Sequence, residues 1–296
     1  VIHSFNNWNT YEIVGKRNDS LPLGPAGYTF IPLEDNMVSY RAAKNRKRLN
    51  RFPSVKIFYG QCQDGSIQYF VNDSAYRDTL LDGYKIHAFD VNQSCTDFRF
   101  RIPVAKKLAL YGVSFESNAG VYVDNFSMRG NSGIGLSYVK EKMYHDFDSL
   151  HHYDLIILSY GLNVANEKSP NYDWYVRSMN NTMAMIKRAF PHSSVMVVGC
   201  SDRADKIDGE LQTMPSVKRL INEQRKMAAA NQLCFWNLQQ AMGGDSTMIR
   251  WAEMDKRPLA NKDYTHITFN GGKRVAGILL QTLLYEKEKY ERRKKR

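Results

Sequence analysis

The sequence lacks any apolar run of the roughly 18 residues that a membrane-spanning helix needs, so it predicts no integral membrane segment. It also lacks a signal peptide, and because it opens with Val1 rather than Met we expect a mature or trimmed product. The four cysteines have no metal-binding spacing, and we expect neither a metal nor another cofactor. Cys62 and Cys95 share a strand-rich region and would either pair or stay free, whereas Cys200 and Cys234 are expected to be buried thiols.

Acidic residues are outnumbered, and the net charge of +11 is of the kind that nucleic-acid-binding proteins carry. Two short stretches hold nearly all of it, because residues 41–51 carry +6 and residues 286–296 carry +4. The remainder is close to neutral, so the charge predicts a solvated basic loop and a basic tail, with no nucleic-acid partner. Contact of these stretches with an anionic polymer or a lipid surface is the alternative.

A length of 296 residues suits two domains. Residues 1–120 have the sequence pattern of a β domain. Short runs rich in Val, Ile, Tyr and Phe recur between turn signals, several of them alternating apolar with polar residues. They are residues 26–31, 55–59, 67–71, 84–89, 98–102 and 108–113. We predict a β-sandwich of jelly-roll type. Trp8, Tyr28 and Tyr59 would either stack on sugar rings or pack in the core.

Residues 121–290 alternate apolar strands with helical stripes. The predicted strands are 120–124, 153–159, 194–199 and 233–236, and the predicted helices are about 172–190, 215–231 and 271–290. This order is typical of an α/β domain with a doubly wound parallel sheet of flavodoxin-like type. Ligands bind such sheets at the carboxyl ends of the strands, so the residues just after each strand are the candidates for chemistry.

Asp263 stands three residues before His266 in the loop ahead of the last predicted helix. A carboxylate in this position can accept the imidazole Nδ1–H, which fixes the tautomer and leaves Nε2 free to act as a base. The same spacing also fits a polar turn that caps the helix through Thr268 or Asn270.

Two further segments follow predicted strands. Asn163, in Gly161-Leu162-Asn163, offers a side-chain amide, and Gly130 offers an unobstructed backbone N–H, so both suit an oxyanion hole. An ordinary strand-end turn is the alternative for the first segment. An anion-binding nest or a flexible turn is the alternative for the second.

Three residues have weaker claims to a substrate-binding role. Arg203 would bind a substrate carboxylate or phosphate, or else form a local ion pair with Asp202 or Asp205. Gly243 and Gly244 follow the last predicted strand and would form one wall of a cleft. Gln224 lies on a predicted helix and is expected at its surface.

Together and in chain order, these segments resemble the SGNH (GDSL-type) hydrolase family, over about residues 120–285. Gly130 matches the glycine block, and Asn163 matches the asparagine of the Gly-x-Asn-Asp pattern, although Val164 stands where the family has Asp. Asp263 and His266 match the closing Asp-x-x-His, in which His is the general base. The resemblance implies a serine esterase that acts on O-acyl groups, above all O-acetyl groups, of a carbohydrate.

Residues 111–116, 241–244 and 263–266 resemble more closely a two-domain subgroup of Bacteroidetes type. In that subgroup a β-sandwich that resembles a carbohydrate-binding module is inserted after the first strand of the hydrolase domain, and the Gly-Asp-Ser nucleophile block precedes it. The resemblance therefore implies a nucleophile upstream of Val1, supplied by an N-terminal segment or fragment, and a periplasmic, cell-surface or secreted protein. An O-acetyltransferase on glycan, or a non-catalytic glycan-binding protein on a hydrolase scaffold, is the alternative.

Two serines on the chain are formal substitutes for the missing nucleophile. Ser20 follows Asn and Asp, which mimics Gly-Asp-Ser, but Pro22 and Pro25 place it in a loop of the β region. Ser132 lies two residues after Gly130, in a segment that already fits the glycine block. We expect neither to serve, and this chain alone to be inactive.

Overall fold

An antiparallel sheet dominates the first of two compact units in the computed structural model, which describes residues 2–15, 18, 20–44, 49–117, 119–127, 130–169 and 171–295. The first unit comprises residues 1–130, 135–153 and 185–192. Its described strands are β1 (Ile2–Glu12), β2 (Tyr28–Arg41), β3 (Ser54–Gln63), β4 (Ser66–Val71), β5 (Ser74–Thr79), β6 (His87–Val91), β7 (Asp97–Val104) and β8 (Lys107–Glu116). Their order is β5-β4-β7-β2-β8-β3-β6, with β1 paired to β2.

The long strand β2 makes this sheet curl. Its end from Val38 to Arg41 pairs with β7, whereas Phe30, near its beginning, pairs with β8. Residues from both flanks of the sheet consequently meet in one core, where Ile57 of β3 and Ile67 of β4 are almost fully buried. The structure thus has one curled antiparallel sheet where the sequence predicts the two layers of a sandwich, and the jelly-roll topology is not confirmed.

Two aromatic residues considered as sugar-stacking platforms belong to this core. Trp8 is 9% exposed and packs edge-on against Phe100. Tyr59 is 2% exposed, and its hydroxyl accepts a hydrogen bond from the Leu81 backbone. Tyr28 is half-buried and stacks on Phe30. A sugar-stacking role is therefore wrong for Trp8 and Tyr59, because no ring can stack on a side chain that the core already covers.

The second unit comprises residues 131–134, 154–184 and 193–296. Its described strands are β9 (Leu155–Ser159), β10 (Ser194–Val198), β11 (Ala204–Ile207), β12 (Glu210–Thr213) and β13 (Cys234–Trp236). A parallel sheet has the order β13-β10-β9, and β11 and β12 form a separate antiparallel hairpin. The parallel strands lie close to where the sequence predicts them. A doubly wound parallel sheet is not confirmed, because the main sheet of the molecule is antiparallel.

The helices complete both units. The described α-helices are α1 (Glu141–His151), α2 (Asp173–Ala189), α3 (Pro215–Ala230), α4 (Leu238–Met242), α5 (Thr247–Ala252) and α6 (Phe269–Lys294), with single 3₁₀ turns at Ile134–Tyr138 and Leu162–Val164. The basic stretch 286–296 lies largely within α6, where pairs such as Lys287–Glu291 follow helical spacing. No helix in the described ranges is long and apolar enough to cross a membrane.

One predicted strand, residues 120–124, is not a strand in the structure. Val121 and Val123 there are 92% and 86% exposed. An isolated extended segment cannot satisfy its own backbone hydrogen bonds, so apolar alternation produces a strand only where a neighbouring strand is present to pair with it.

The strand β9 is an edge of the parallel sheet in the described residues. It pairs with β10 along Leu155–Ser159, and Ile157 at its centre is 44% exposed. The run Leu155-Ile156-Ile157-Leu158 is typical of a strand covered on both sides. The edge position thus leaves Ile157 partly exposed and one side of β9 without a pairing strand among the described residues.

Candidate functional site

A short hairpin-like loop positions Asp263 and His266. Ala260 and Ile267 form an isolated antiparallel bridge across it, and the His266 carbonyl accepts a hydrogen bond from the Asn261 backbone at 2.8 Å. Tyr264 lies in the left-handed region, with φ of 50°, where the chain reverses. The loop is therefore held by its own backbone, and the two side chains project from a fixed turn.

Within this turn the carboxylate and the imidazole are paired. The distance from Asp263 Oδ2 to His266 Nδ1 is 2.8 Å, and Asp263 Oδ1 accepts from the backbone N–H groups of Thr265 and His266, each at 3.0 Å. A carboxylate can only accept, so Nδ1 carries the proton and Nε2 presents its lone pair. The prediction of a paired Asp263 and His266 agrees with this geometry, while their catalytic role stays a prediction.

The same contacts keep the carboxylate charged. The His266 backbone N–H, and with it the His266 ring and the Thr265 N–H, lower the pKa of Asp263 from 3.8 to about 2. Asp263 is therefore ionised at every pH at which an esterase would work. The side chains are 49% and 73% exposed for Asp263 and His266, so the pair is open to solvent on the described part of the chain.

The helix-capping alternative for this segment is also realised, by a neighbouring residue. Thr268 is the N-cap of α6, and its hydroxyl oxygen accepts from the Gly271 backbone at 3.2 Å. Gly271 has to be glycine, because a Cβ there would lie 2.0 Å from the Leu259 carbonyl oxygen. Capping and the Asp263–His266 pair are thus adjacent features of one loop rather than competing explanations.

A small apolar cluster packs against the loop that carries Asp263 and His266. Met242, Met248, Ala252 and Ala260 are buried together, and Tyr264 packs against them. The Tyr264 hydroxyl also donates to Glu253 at 2.8 Å. These contacts anchor Tyr264, one of the two residues between Asp263 and His266, which favours a constant distance between the two side chains.

The turn after β9 is held by Gln224, a side chain that the sequence places on a helix surface. Gln224 is 2% exposed, donates to the Tyr160 carbonyl at 2.7 Å and accepts from the Cys200 N–H at 2.9 Å. It therefore clamps the carboxyl ends of β9 and β10. Gly161, with φ of 116°, fits beneath the clamp, because a Cβ there would lie 2.5 Å from Gln224 Nε2. The surface prediction for Gln224 is wrong.

Asn163 follows directly in the 3₁₀ turn Leu162–Val164. Its Nδ2 donates to the Asn131 carbonyl at 3.2 Å, and the residue itself is exposed. A primary amide has two N–H donors, so one remains for a ligand. Gly130, the residue before Asn131 in the chain, is exposed with φ of 73° and belongs to the first unit. A donor role for Gly130 and Asn163 stays a prediction.

The loop after β10 contains a buried carboxylate next to a half-buried cation. Asp202 is fully buried, and it accepts from the Thr213 hydroxyl at 2.8 Å and from the Met248 N–H at 2.9 Å. Asp205 is exposed and accepts from the Lys206 backbone. The alternative that Arg203 forms a local ion pair with Asp202 or Asp205 is therefore wrong.

Gly243 and Gly244 end α4 with positive φ angles of 124° and 75°. Their carbonyl groups are occupied, since Gly243 accepts from Arg250 and Gly244 accepts from the Thr247 hydroxyl. The pair terminates a helix and orders the turn into α5. Its proposed place in a cleft wall stays a prediction.

Neither substitute serine is bonded to the candidate base. Ser20 lies in a turn before β2, where its hydroxyl donates to Asn18. Ser132 is half-buried, and its carbonyl accepts from the Tyr175 hydroxyl. Across the described residues, the hydrogen bond of the His266 ring is the one to Asp263.

Two buried polar residues that matter for the site were missed at the level of sequence. Gln224 occupies a position in the apolar stripe of α3, whose buried members include Val217, Leu220, Ile221, Met227 and Ala228. That register predicts burial and would have identified it. Asp202 gives no such signal, because a single carboxylate in a loop is usually exposed.

The four cysteines are free thiols. Cys62, Cys95 and Cys200 are buried, which leaves the first two unpaired. Cys234 is exposed, so its expected burial is wrong, because it lies on the edge strand β13. No group of three or more metal-binding side chains occurs within the described ranges.

Comparison with known proteins shows that the chain shares its fold with a solved structure. No protein-family model matches the chain, and no curated protein matches it by sequence. Among solved structures, a peptidoglycan O-acetylesterase matches 96% of this chain and 77% of that chain, at 18% identity and a TM-score of 0.75. The chain is similar in fold to an esterase. At this identity the likeness shows the fold alone, so the reaction has to be argued from the site.

Two other solved structures match part of the chain. An acetyl xylan esterase matches 52% of this chain and 77% of that chain, at 18% identity and a TM-score of 0.41. A lipase/acylhydrolase from Enterococcus faecalis matches 52% of this chain and 71% of that chain, at 14% identity and a TM-score of 0.36.

Proposed function

We propose that this chain carries the acid–base dyad of a serine esterase that removes O-acyl groups, above all O-acetyl groups, from a carbohydrate. The observation that supports the proposal is the contact of 2.8 Å between Asp263 Oδ2 and His266 Nδ1. The carboxylate orients the ring and stabilises the imidazolium that forms during catalysis, and Nε2 is left as the general base.

The reaction runs in two steps. His266 Nε2 takes the proton of a serine hydroxyl as the serine oxygen attacks the ester carbonyl. The tetrahedral intermediate then breaks its bond to the sugar oxygen, which takes the proton from His266 and leaves as a hydroxyl, so that an acyl-serine remains. Water, activated by the same nitrogen, releases the carboxylic acid and restores the serine. Throughout both steps Asp263 remains an anion, which agrees with its lowered pKa.

The oxyanion of the intermediate needs donors. In the proposal these are the remaining N–H of the Asn163 side chain, the Gly130 backbone N–H and the serine's own N–H. Each such donor lowers the barrier by about 3 kcal/mol. The clamp formed by Gln224 supports this role, because it fixes the turn from which Asn163 projects.

The nucleophile is supplied, in this proposal, by a segment outside residues 1–296, within the same polypeptide or as a separate fragment. The open edge of β9 supports it: an added parallel strand there would cover Ile157 and satisfy the free backbone groups. The carboxyl end of such a strand would lie at the same edge of the sheet as Asn163.

The substrate class is an acylated carbohydrate in a periplasmic, cell-surface or secreted setting. It is supported by the fold that the chain shares with a peptidoglycan O-acetylesterase. We assign residues 1–120 as a carbohydrate-facing β domain, residues 121–290 as the hydrolase domain and residues 286–296 as a basic extension of it. Transfer of the acyl group to a second sugar would use the same dyad.

The test is hydrolysis of 4-nitrophenyl acetate by a protein extended upstream of Val1. Changing His266→Ala should reduce the rate by about 10²–10⁴-fold, because the general base is lost. His192→Ala, which alters an exposed histidine of the first unit, is the matched control and should leave the rate unchanged. Equal rates for the extended protein and its His266→Ala variant would overturn the proposal.

A non-catalytic glycan-binding protein is the second candidate. It is favoured by one observation, namely that the His266 ring contacts no serine among the residues that the structure describes. This candidate expects that a fluorophosphonate probe labels no serine even in the extended protein. Labelling that disappears in His266→Ala would exclude it.

A further inference from the structure

Arg203 is the one half-buried cation of the second unit, because every other described lysine and arginine there is exposed. The two carboxylates that flank it in sequence are bonded elsewhere, Asp202 to Thr213 and Met248, and Asp205 to the Lys206 backbone. Over the described residues, the Arg203 guanidinium therefore has neither an ion pair nor a hydrogen bond.

The backbone on both sides of Arg203 is held in place. Its carbonyl accepts from the Met214 N–H at 2.9 Å, and the next residue, Ala204, donates to the Tyr264 carbonyl at 3.1 Å. The second contact ties this loop directly to the turn that holds Asp263 and His266. The loop that carries Arg203 thus contacts the turn of the candidate dyad, and its backbone is held by bonds that do not involve the Arg203 side chain.

We propose that Arg203 forms a subsite for a carboxylate on the acylated sugar, so that the preferred substrate is an acidic glycan. A cation that has lost part of its hydration is unfavourable unless an anion replaces the water. The planar guanidinium matches a carboxylate with two parallel hydrogen bonds. This inference rests on the proposed function for the ester chemistry and adds the charge of the substrate to it.

The charge balance favours a carboxylate over a phosphate. One guanidinium neutralises one negative charge, and no other described Lys or Arg of the second unit is half-buried with it. A phosphate monoester carries up to two charges at neutral pH and is usually held by several donors. A single, isolated, partly desolvated arginine is therefore matched to a monoanion.

The experiment compares two ligands that differ only in this charge. They are 6-O-acetyl-N-acetylmuramic acid, which bears a lactyl carboxylate, and the same sugar with that carboxylate converted to a primary amide. Binding to the full 296-residue chain is measured by titration calorimetry, without turnover. We expect the acid to bind about 10-fold or more tightly than the amide, as for a hydrogen-bonded ion pair.

Variants assign the preference to Arg203. Arg203→Met should bind acid and amide equally, and Arg203→Lys should retain part of the preference, since it keeps the charge and loses the planar fork. Arg177→Met, which removes an exposed arginine on α2, should behave as the unchanged protein. Circular dichroism of each variant establishes that it is folded.

Equal affinity of the unchanged protein for acid and amide, including no measurable binding of either, overturns the inference. So does a preference that survives Arg203→Met. Failure of the proposed function is distinguishable, because that failure is read from hydrolysis and from His266→Ala, whereas charge preference is read from binding alone.

Discussion

Ile57 on β3 and Ile157 on β9 both lie inside apolar strands, yet the first is 1% exposed and the second 44% exposed. The two strands also differ in pairing. Strand β3 has neighbours on both sides, β6 and β8, whereas β9 has β10 alone among the described strands. An apolar sequence thus forms an interior strand in the curled sheet and an edge strand in the parallel sheet.

The two units differ in how fully their sheets bury apolar residues. The curled sheet buries its apolar residues in one large cluster within the first unit. The parallel sheet leaves apolar surface at β9 and an exposed thiol at Cys234 of β13, while β10 between them is buried from Val195 to Val198. The candidate dyad of Asp263 and His266 lies in the second unit.

The largest expected effect is on the free energy of unfolding, and it tests the contrast between Ile57 and Ile157. Ile57→Ala should lower the free energy of unfolding by about 2–5 kcal/mol, because it opens a cavity in a close-packed core. Ile157→Ala should cost about 1 kcal/mol or less, since half of that side chain is already in water. Urea denaturation of the two variants, followed by circular dichroism, measures both values against the unchanged protein.

The two isoleucines are controls for each other, because the substitution is chemically identical. A cost for Ile157→Ala as large as that for Ile57→Ala would mean that the edge of β9 is covered in solution. The comparison of a closed and an open sheet would then no longer hold.

The next effect concerns the clamp across the parallel strands. Gln224→Leu keeps the approximate volume but leaves the Cys200 N–H without its partner, and the Tyr160 carbonyl keeps the Cys200 thiol as its hydrogen-bond donor. An orphaned buried group costs about 1–3 kcal/mol, so the second unit should lose more stability than for a surface change.

Gln212→Leu is the matched control, because Gln212 is exposed on β12 and should tolerate the change within about 0.5 kcal/mol. Amide hydrogen exchange distinguishes a local effect from a global one. Faster exchange should appear at residues 160–164 and 199–201 first. Unchanged exchange in these turns would show that Gln224 does not hold them.

The parallel strands and the helices α2, α3 and α6 were accessible from sequence because their signals are local, whereas the short helices α4 and α5 were not predicted. Continuous apolar runs predict β9 and β10 within one or two residues, and the stripe of α2 predicts its bounds similarly. The Asp263–His266 contact was also accessible, because a separation of three residues on a turn limits the side chains to one neighbourhood.

Other features depend on pairing partners that are distant in sequence. The alternation in residues 120–124 is typical of a strand, but no local signal tells whether a partner strand is present. The curl of the antiparallel sheet depends on β2 changing partners along its length, from β8 to β7, which no periodicity encodes. The burial of Asp202 depends likewise on Thr213 and Met248, which come from other elements.

The smallest expected effect concerns the reactivity of the cysteine thiols, which reports how exposed each thiol is. Burial raises the pKa of Cys200 to about 12 and that of Cys95 to about 11, so both thiols stay protonated at pH 8 and are shielded from reagents. Cys234, on the open strand β13, is exposed. We expect iodoacetamide at pH 8 to modify Cys234 first and the buried thiols only after unfolding in urea, as mass spectrometry of peptides would show. Cys234→Ser removes the fast reaction and serves as control. Equally fast modification of Cys200 and Cys234 would show that the thiol just after the central strand β10 is as accessible as the thiol on the edge strand β13. The distinction between central and edge strands would then not hold in the parallel sheet.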